Sequence, residues 1–299
     1  MIKNLPKQVT LFEVGPRDGF QFEDHVIPTD LKIDIIRGLV DAGLKHIQVA
    51  SFVRSDRVPQ MADAEQVVKR LPPAADVVFS GLVLNAEGVR RARKAGLTHV
   101  EVSISASGSH SLKNAGMSRQ QAERQAGEMI RLAQSLDLTV RAGIQCAFGC
   151  VYEGRIPEQR IVRIVKGFVS CGVNELALSD TTGMADPVSV WQLLQLVLPA
   201  CEGIPVVLHF HDTRGLGLAN VLAALQSGVT RFDTALAGMG GCPFVPGAAG
   251  NIATEDTAHL LQCMGIHTGV DIARVASCSL KLEAFLAKRF PGKMYRLLP

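Results

Sequence analysis

The chain has 299 residues, of which 47% are hydrophobic, 20% charged and 5% aromatic, a balance that excludes intrinsic disorder and supplies a full core. Thirty-one Lys and Arg against 28 Asp and Glu leave a formal charge of +3, and the basic residues are scattered rather than clustered. With one Trp and two Tyr there is no basic, aromatic-rich stretch for stacking bases, so no nucleic-acid partner is expected.

At the start, Met1-Ile2-Lys3-Asn4-Leu5-Pro6 forms neither an apolar signal core nor an Arg-rich amphipathic presequence. No run of ~18 apolar residues offers a membrane span. Seven Cys at irregular spacing make no disulfide framework, and the expectation is a cytoplasmic protein with reduced thiols and no membrane partner. Short β-branched runs then alternate with amphipathic stretches of helical length. Strands are predicted at residues 10–14, 46–49, 77–84, 99–104, 139–145, 175–178, 205–210 and 231–235. Helices are predicted at 30–42, 87–95, 119–136, 158–171, 188–198 and 216–226, with apolar residues at three- and four-residue steps such as Leu31, Ile35 and Leu39. Gly43, Gly96 and Gly228 stand where left-handed helix caps are needed.

A strand–helix period of about 30 residues repeated eight times implies eight βα units. An open doubly wound sheet is the competitor, but its first strand would be followed by G-x-G-x-x-G, and here Gly15-Pro16-Arg17-Asp18-Gly19 follows. The expected fold is α/β: a closed (β/α)8 TIM barrel filling residues 1–299 as one domain, with about 266–299 as a C-terminal helical extension. In such a barrel the chemistry sits at the carboxyl ends of the strands.

His209 and His211, in Val206-Val207-Leu208-His209-Phe210-His211-Asp212, share one face of the seventh strand at its carboxyl end. Two imidazoles about 7 Å apart along a strand can reach one cation; a hydrogen-bonded core pair is the alternative. Asp18 follows the first strand, which only the eighth separates from the seventh in a closed barrel. Turn chemistry is its alternative role. Arg17 brings a permanent cation to the same mouth. After the eighth strand, residues 238–251 are rich in Gly, Pro and small side chains and predict a loop able to close over a site, with Cys242 inside it. Asn251 is either a helix N-cap or, through its amide oxygen, a metal ligand. Two His, one Asp and one Asn without a thiolate favour Mg2+ or Mn2+ over structural zinc. Cys146 and Cys150 lack a second pair and read as packing.

At these motifs the sequence resembles the 3-hydroxy-3-methylglutaryl-CoA lyase family, a metal-dependent TIM-barrel group whose superfamily also holds Claisen-condensing enzymes. The resemblance runs from about residue 10 to residue 271. It rests on Glu13-Val14-Gly15-Pro16-Arg17-Asp18-Gly19, Val58-Pro59-Gln60-Met61-Ala62-Asp63, Gly149-Cys150-Val151-Tyr152-Glu153-Gly154, His209-Phe210-His211-Asp212-Thr213, the 238–251 loop continuing to Glu255-Asp256, and Gly265-Ile266-His267-Thr268-Gly269-Val270. It implies that Asp18, His209, His211 and Asn251 hold the metal, that Arg17 is the catalytic cation and that Cys242 is the loop acid. Asp18 and His209 are the candidates for the base. Arg17, Gln21, Gln48, Asp180, Lys113 and Asn114 are implied to contact the substrate. The reaction implied is cleavage of a 3-hydroxy-3-methyl acyl-CoA into acetyl-CoA and a 3-keto acid; a homodimer is expected only because two-fold pairing is the commonest assembly of soluble enzymes. Where the family carries Glu at the end of the second strand this chain has Gln48, which removes a negative charge and adds a donor. The same chemistry on another 3-hydroxy-3-alkyl or citramalyl-type acyl-CoA is therefore an alternative, as is a condensing acyltransferase, against which Cys242 argues. A barrel hydrolase would carry its H-x-H pair on the first strand, and a relic without turnover is supported by Gln48 alone.

Overall fold

The computed structural model describes residues 5–241 and 249–297. Among them eight parallel strands pair in chain order: β1 (Thr10–Glu13), β2 (His46–Ser51), β3 (Val78–Val83), β4 (His99–Ser105), β5 (Thr139–Gln145), β6 (Glu175–Ser179), β7 (Val206–His209) and β8 (Arg231–Thr234). The sheet closes through β1 on β8, in register from Thr10 opposite Arg231 to Glu13 opposite Thr234. That closure makes a TIM barrel and excludes the open sheet. The strands carry β-branched and small residues because helices cover the outer face and side chains fill the inside, so both faces are buried.

The outer helices are α1 (Thr29–Asp41), α2 (Ala64–Lys69), α3 (Ala86–Ala95), α4 (Gly108–Ala115), α5 (Arg119–Ser135), α6 (Glu158–Ser170), α7 (Pro187–Ala200), α8 (Gly217–Gln226) and α9 (Thr254–Cys263), with α10 (Ile272–Leu286) beyond them. Their ends follow local chemistry. Ser118 and Gln121 form a capping box on α5, and Asp186 caps α7 ahead of Pro187. Gly96 closes α3 in the left-handed region at φ 113°. Three helices fall outside the predicted ranges: α2 has only six residues, α4 opens in Gly-Ser-His-Ser, and α9 buries Thr254, Glu255, Asp256 and Thr257 at its start. No helix among the described residues is long and apolar enough to cross a membrane.

The C-terminal stretch braces the carboxyl-end loops. Helix α10 packs on α1 and α9, the Gly292 amide donates to the Ala237 carbonyl at 2.8 Å, and Asp256 accepts from the Lys293 and Met294 amides at 3.0 and 2.7 Å. On the other side of Ala237 lies Glu13, the last residue of β1. Its Oε1 accepts from the Gly15 and Leu236 amides at 2.8 and 3.0 Å, and its Oε2 from the Thr254 hydroxyl at 2.7 Å. One buried carboxyl thus ties together the segments after β1 and β8 and the start of α9.

Burial raises the Glu13 pKa from an ordinary 4.5 to about 8, the hydrogen bonds from Thr254, Leu236 and Gly15 only partly opposing it. A carboxyl whose folded-state value is raised contributes fully below its unfolded pKa and loses that contribution as the pH climbs through the folded value. Glu13→Gln keeps an acceptor for both amides and cannot ionise. Between about pH 5.5 and pH 8.5 its melting temperature should therefore fall less than that of the wild type. Parallel melting curves for the two proteins across that range would refute the assignment.

Candidate metal centre and active-site cavity

Directly after β1 the chain makes one wide turn, Gly15–Gly19, in which the Phe20 amide reaches back to the Gly15 carbonyl. Turns of this i→i+5 kind concentrate at functional sites. Gly15 is required there, since a Cβ would lie 2.6 Å from Glu13 Oε1 and press on Leu236. The turn delivers Arg17 and Asp18 into the barrel mouth, both buried. His209 ends β7, and His211 follows just beyond the strand, not within it. Both are buried, and the fully buried Phe210 between them faces the opposite way to pack on Phe148. The chain then returns beside them: the Asp212 amide donates to Gly250 O at 3.0 Å and the Ile252 amide to Phe210 O at 3.1 Å. This places Asn251 opposite His211. Asn251 is not the cap of α9, which begins at Thr254 after Ala253. Its Nδ2 donates instead to Asp18 Oδ2 at 2.8 Å and to Met239 O at 2.9 Å. Gly240, at φ 110°, leaves room for that amide; a Cβ would stand 2.5 Å from Asn251 Nδ2.

Asp18, His209 and His211 bring one ligand atom each within 4.8 Å of one another, and all three are buried. His209 Nδ1 gives its proton to Asp233 Oδ2 at 3.0 Å, which leaves the Nε2 lone pair facing His211 Nε2 at 3.1 Å. Asn251 Oδ1 and His211 Nδ1 are buried without a hydrogen-bond partner, although more than nine in ten buried polar groups have one. Burial opposes ionisation of Asp18, but the Arg17 guanidinium, then the two imidazoles, outweigh it and hold the carboxyl below its usual range. Burial, and then His209, push His211 down to about 3, so it is a neutral ligand. For His209 burial is outweighed by the hydrogen bond and charge of Asp233, and its pKa rises. A carboxylate, two imidazoles and an orphaned amide oxygen around one point fit a divalent cation.

Beside this triad opens a cavity of about 800 Å³. Its inner end holds Arg17, Asp18, His209 and His211, one wall carries Ser51, Ser103, Ser105, Gln145, Ser179 and Thr181, and its outer end carries Arg54, Arg57, Lys113 and Asn114. Gln21 also lines it, donating to Asp18 Oδ1 at 3.1 Å, and Lys113 stacks over Tyr152 with Nζ 3.9 Å from the ring centre. Two residues expected to face the substrate stand elsewhere. Gln48 lies behind Arg17, accepting from its Nε and donating to Glu101 Oε2 at 2.9 Å. Asp180 is fully buried in the loop after β6, accepting from the Met184 and Ala185 amides at 2.7 and 3.1 Å; Ser179 and Thr181 form the wall on either side of it. Cys242 and the neighbouring loop residues 243–248 lie outside the described residues. Cys146 and Cys150 are buried free thiols in the core.

Asp233, Arg141 and Glu101 belong to none of the motifs read in the sequence. Arg141 donates to Asp233 and lies with its Nε 3.5 Å from Glu101 Oε2, so these three continue the polar contacts from His209 around the barrel to Gln48 and Arg17. A signal existed: Glu101 and Arg141 are each the single Asp, Glu, Lys or Arg of their strands, and Asp233 shares the four-residue β8 with Arg231, where burial on both faces should keep a strand apolar.

A closed (β/α)8 barrel with an Asp–His–His triad at the carboxyl ends of its strands is the frame of a metal-assisted TIM-barrel enzyme. The profile of the HMGL-like family matches residues 8–280. The cytoplasmic 3-hydroxy-3-methylglutaryl-CoA lyase of Mus musculus is 41% identical over 274 residues, 92% of this chain and 80% of that one. Hydroxymethylglutaryl-CoA lyase of Bacillus subtilis is 38% identical over 288 residues, 96% of each chain. Among solved structures, the Bacillus subtilis HMG-CoA lyase superposes with a TM-score of 0.94 at 37% identity over 99% of both chains. An HMG-CoA lyase from Acinetobacter baumannii in complex with coenzyme A and 3-methylmalate gives 0.93 at 38%, over 97% of this chain and 95% of that one. The chain belongs to the HMGL-like family.

Proposed function

We propose that this protein is a divalent-metal-dependent carbon–carbon lyase that cleaves 3-hydroxy-3-methylglutaryl-CoA into acetyl-CoA and acetoacetate. The observation that carries the reading is the meeting of Asp18, His209, His211 and the unpartnered Asn251 oxygen beside Arg17 at the inner end of one deep cavity. These four side chains are the ligands in this reading, and Mg2+ or Mn2+ suits their mixed nitrogen and oxygen donors. When bound, the cation supplies Lewis acidity that makes a tertiary hydroxyl easier to deprotonate.

The chain's own groups account for the remainder. Asp18 or His209 takes the hydroxyl proton; the C–O bond becomes a carbonyl, and the C2–C3 bond breaks with its electron pair passing to the thioester enolate. Arg17, fixed by Asp18 and Gln48, faces the charge that develops on the thioester oxygen. Cys242, assigned by family resemblance, returns a proton to the enolate carbon, which completes acetyl-CoA. Gln21 holds Asp18, while Lys113 and Asn114 with Arg54 and Arg57 suit the anionic groups of coenzyme A at the outer end of the cavity. Gln48 and Asp180 support the site from behind its lining. The lyase acts as one barrel domain in a cytoplasmic homodimer, two-fold pairing being the commonest closed symmetry.

Purified protein stripped with a chelator should release no acetyl-CoA, and Mg2+ or Mn2+ should each restore it. Absence of product with either ion overturns the reading. A 3-methylmalyl thioester belongs in the same assay, because the Acinetobacter relative was solved with 3-methylmalate and coenzyme A. Faster release from that thioester would move the substrate assignment and leave the bond cleavage intact.

A further inference from the structure

Behind the candidate centre, seven polar side chains on or just after six strands run in a closed circuit. Asp18 meets Arg17, Arg17 meets Gln48, Gln48 meets Glu101, Glu101 meets Arg141, Arg141 meets Asp233, Asp233 meets His209, and His209 Nε2 stands 3.9 Å from Asp18. Gln48 is the one uncharged link among carboxylates, guanidinium groups and an imidazole. Its orientation has no freedom: Arg17 offers only donors and Glu101 accepts, so Oε1 must face Arg17 and Nε2 must face Glu101. Glu101 in turn is buried and has its own space, because a Cβ at Gly143 would stand 2.8 Å from its Oε1.

We propose that Gln48 on β2 and Glu101 on β4 are a matched pair of positioning residues for Arg17, which works only when one of the two is an amide and the other a carboxylate. The pair transmits orientation from Arg141 to the Arg17 guanidinium without adding a charge next to it. A carboxylate at position 48 would face the Glu101 carboxylate across the 2.9 Å now spanned by a hydrogen bond, and one of them would have to turn away or take a proton. An amide at position 101 alone would remove the negative charge on which Gln48 Nε2 and Arg141 Nε converge. Exchanging the two side chains restores one amide and one carboxylate between Arg17 and residue 101: the carboxylate now at position 48 would accept from Arg17, and the amide now at position 101 would donate to that carboxylate.

The inference rests on the lyase reading and is tested by a double-substitution cycle in the full-length, metal-loaded enzyme. Gln48→Glu and Glu101→Gln should each lower kcat about tenfold with little change in KM, and the double variant should return to within about threefold of wild type. Thermal melts accompany each assay. Losses in kcat that multiply in the double variant, or a Gln48→Glu enzyme as fast as wild type, overturn the proposal. Coupling seen in the melts but absent from kcat also overturns it, because that would make the pair structural only. If a single variant fails to fold, the double variant alone decides: near-wild-type kcat supports the pair, and a tenfold loss rejects it. An inactive wild type would sink the lyase reading and this inference together, whereas an active wild type with multiplying losses sinks this inference alone.

Discussion

His211→Ala should abolish acetyl-CoA release, by roughly 10³-fold or more, while the protein stays folded. Changes to groups that only support a ligand already cost ~10–100-fold in metal affinity or activity, and His211 offers its Nε2 to the centre directly. The two imidazoles differ in what else depends on them. His209 is bonded to the buried Asp233, which also carries the half-buried Arg141, so its removal would leave part of a largely buried charge network unbalanced and cost stability. His211 has no such duty: its Nδ1 is buried and unpartnered, and truncation removes a desolvated polar atom along with the ring. The expected melting temperature of His211→Ala is thus within about 4 °C of wild type. Its Mn2+ affinity, read by electron paramagnetic resonance, should drop in parallel with turnover. Retained activity, or retained Mn2+ affinity in an inactive variant, would remove His211 from the ligand set.

Why the barrel could be read from the chain is plain in its strands. Val206-Val207-Leu208 and Thr139-Val140-Arg141-Ala142-Gly143-Ile144 are runs that suit burial on both faces, and the predicted range 139–145 coincides with β5 (Thr139–Gln145). The His pair was legible for a related reason: alternate residues of an extended segment share a face, and the chain stays extended for the two residues past β7, so spacing brought them together. What spacing cannot show is which side chain from a distant strand completes a contact. Arg141 and Asp233 are 92 residues apart, and Asn251 and Asp18 are 233 apart. Local pattern assigned Asn251 a choice of roles, because a cap and a ligand have the same sequence appearance; the return of the chain along His211 separates them. Asp180 and Gln48 were expected at the cavity surface because the family resemblance implied it. The turn after β6 instead folds Asp180 onto its own amides, and Arg17 covers Gln48. The α2 helix is too short for a pattern to mark it, and α9 buries polar residues in its first turn, which an apolar-stripe pattern does not pick out.

Arg17→Lys should lower kcat by roughly 10²–10³-fold, the cost of one lost electrostatic donor at a developing oxyanion, with KM and Mn2+ affinity changed little. The substitution keeps the charge, so the loss isolates geometry. A guanidinium holds its donors in a fixed planar fork: here Nε is committed to Gln48 and Nη1 to Asp18, which fixes the plane that the remaining N–H groups present toward the cavity. An ammonium on a flexible stem gathers its three donors at one point. It can follow Asp18, leaving the Gln48 carbonyl buried and unpaired, or follow Gln48 and abandon Asp18; neither choice aims a donor at the thioester. Because Asp18, His209 and His211 stay in place, the metal should still bind, which separates this variant from His211→Ala. Arg17→Ala should be slower still, and added guanidinium should recover part of its rate by filling the vacated space with the same fork of donors. Wild-type kcat in Arg17→Lys would show that charge alone suffices at this position, and equal loss of Mn2+ affinity would show that Arg17 serves the metal site rather than the reacting thioester.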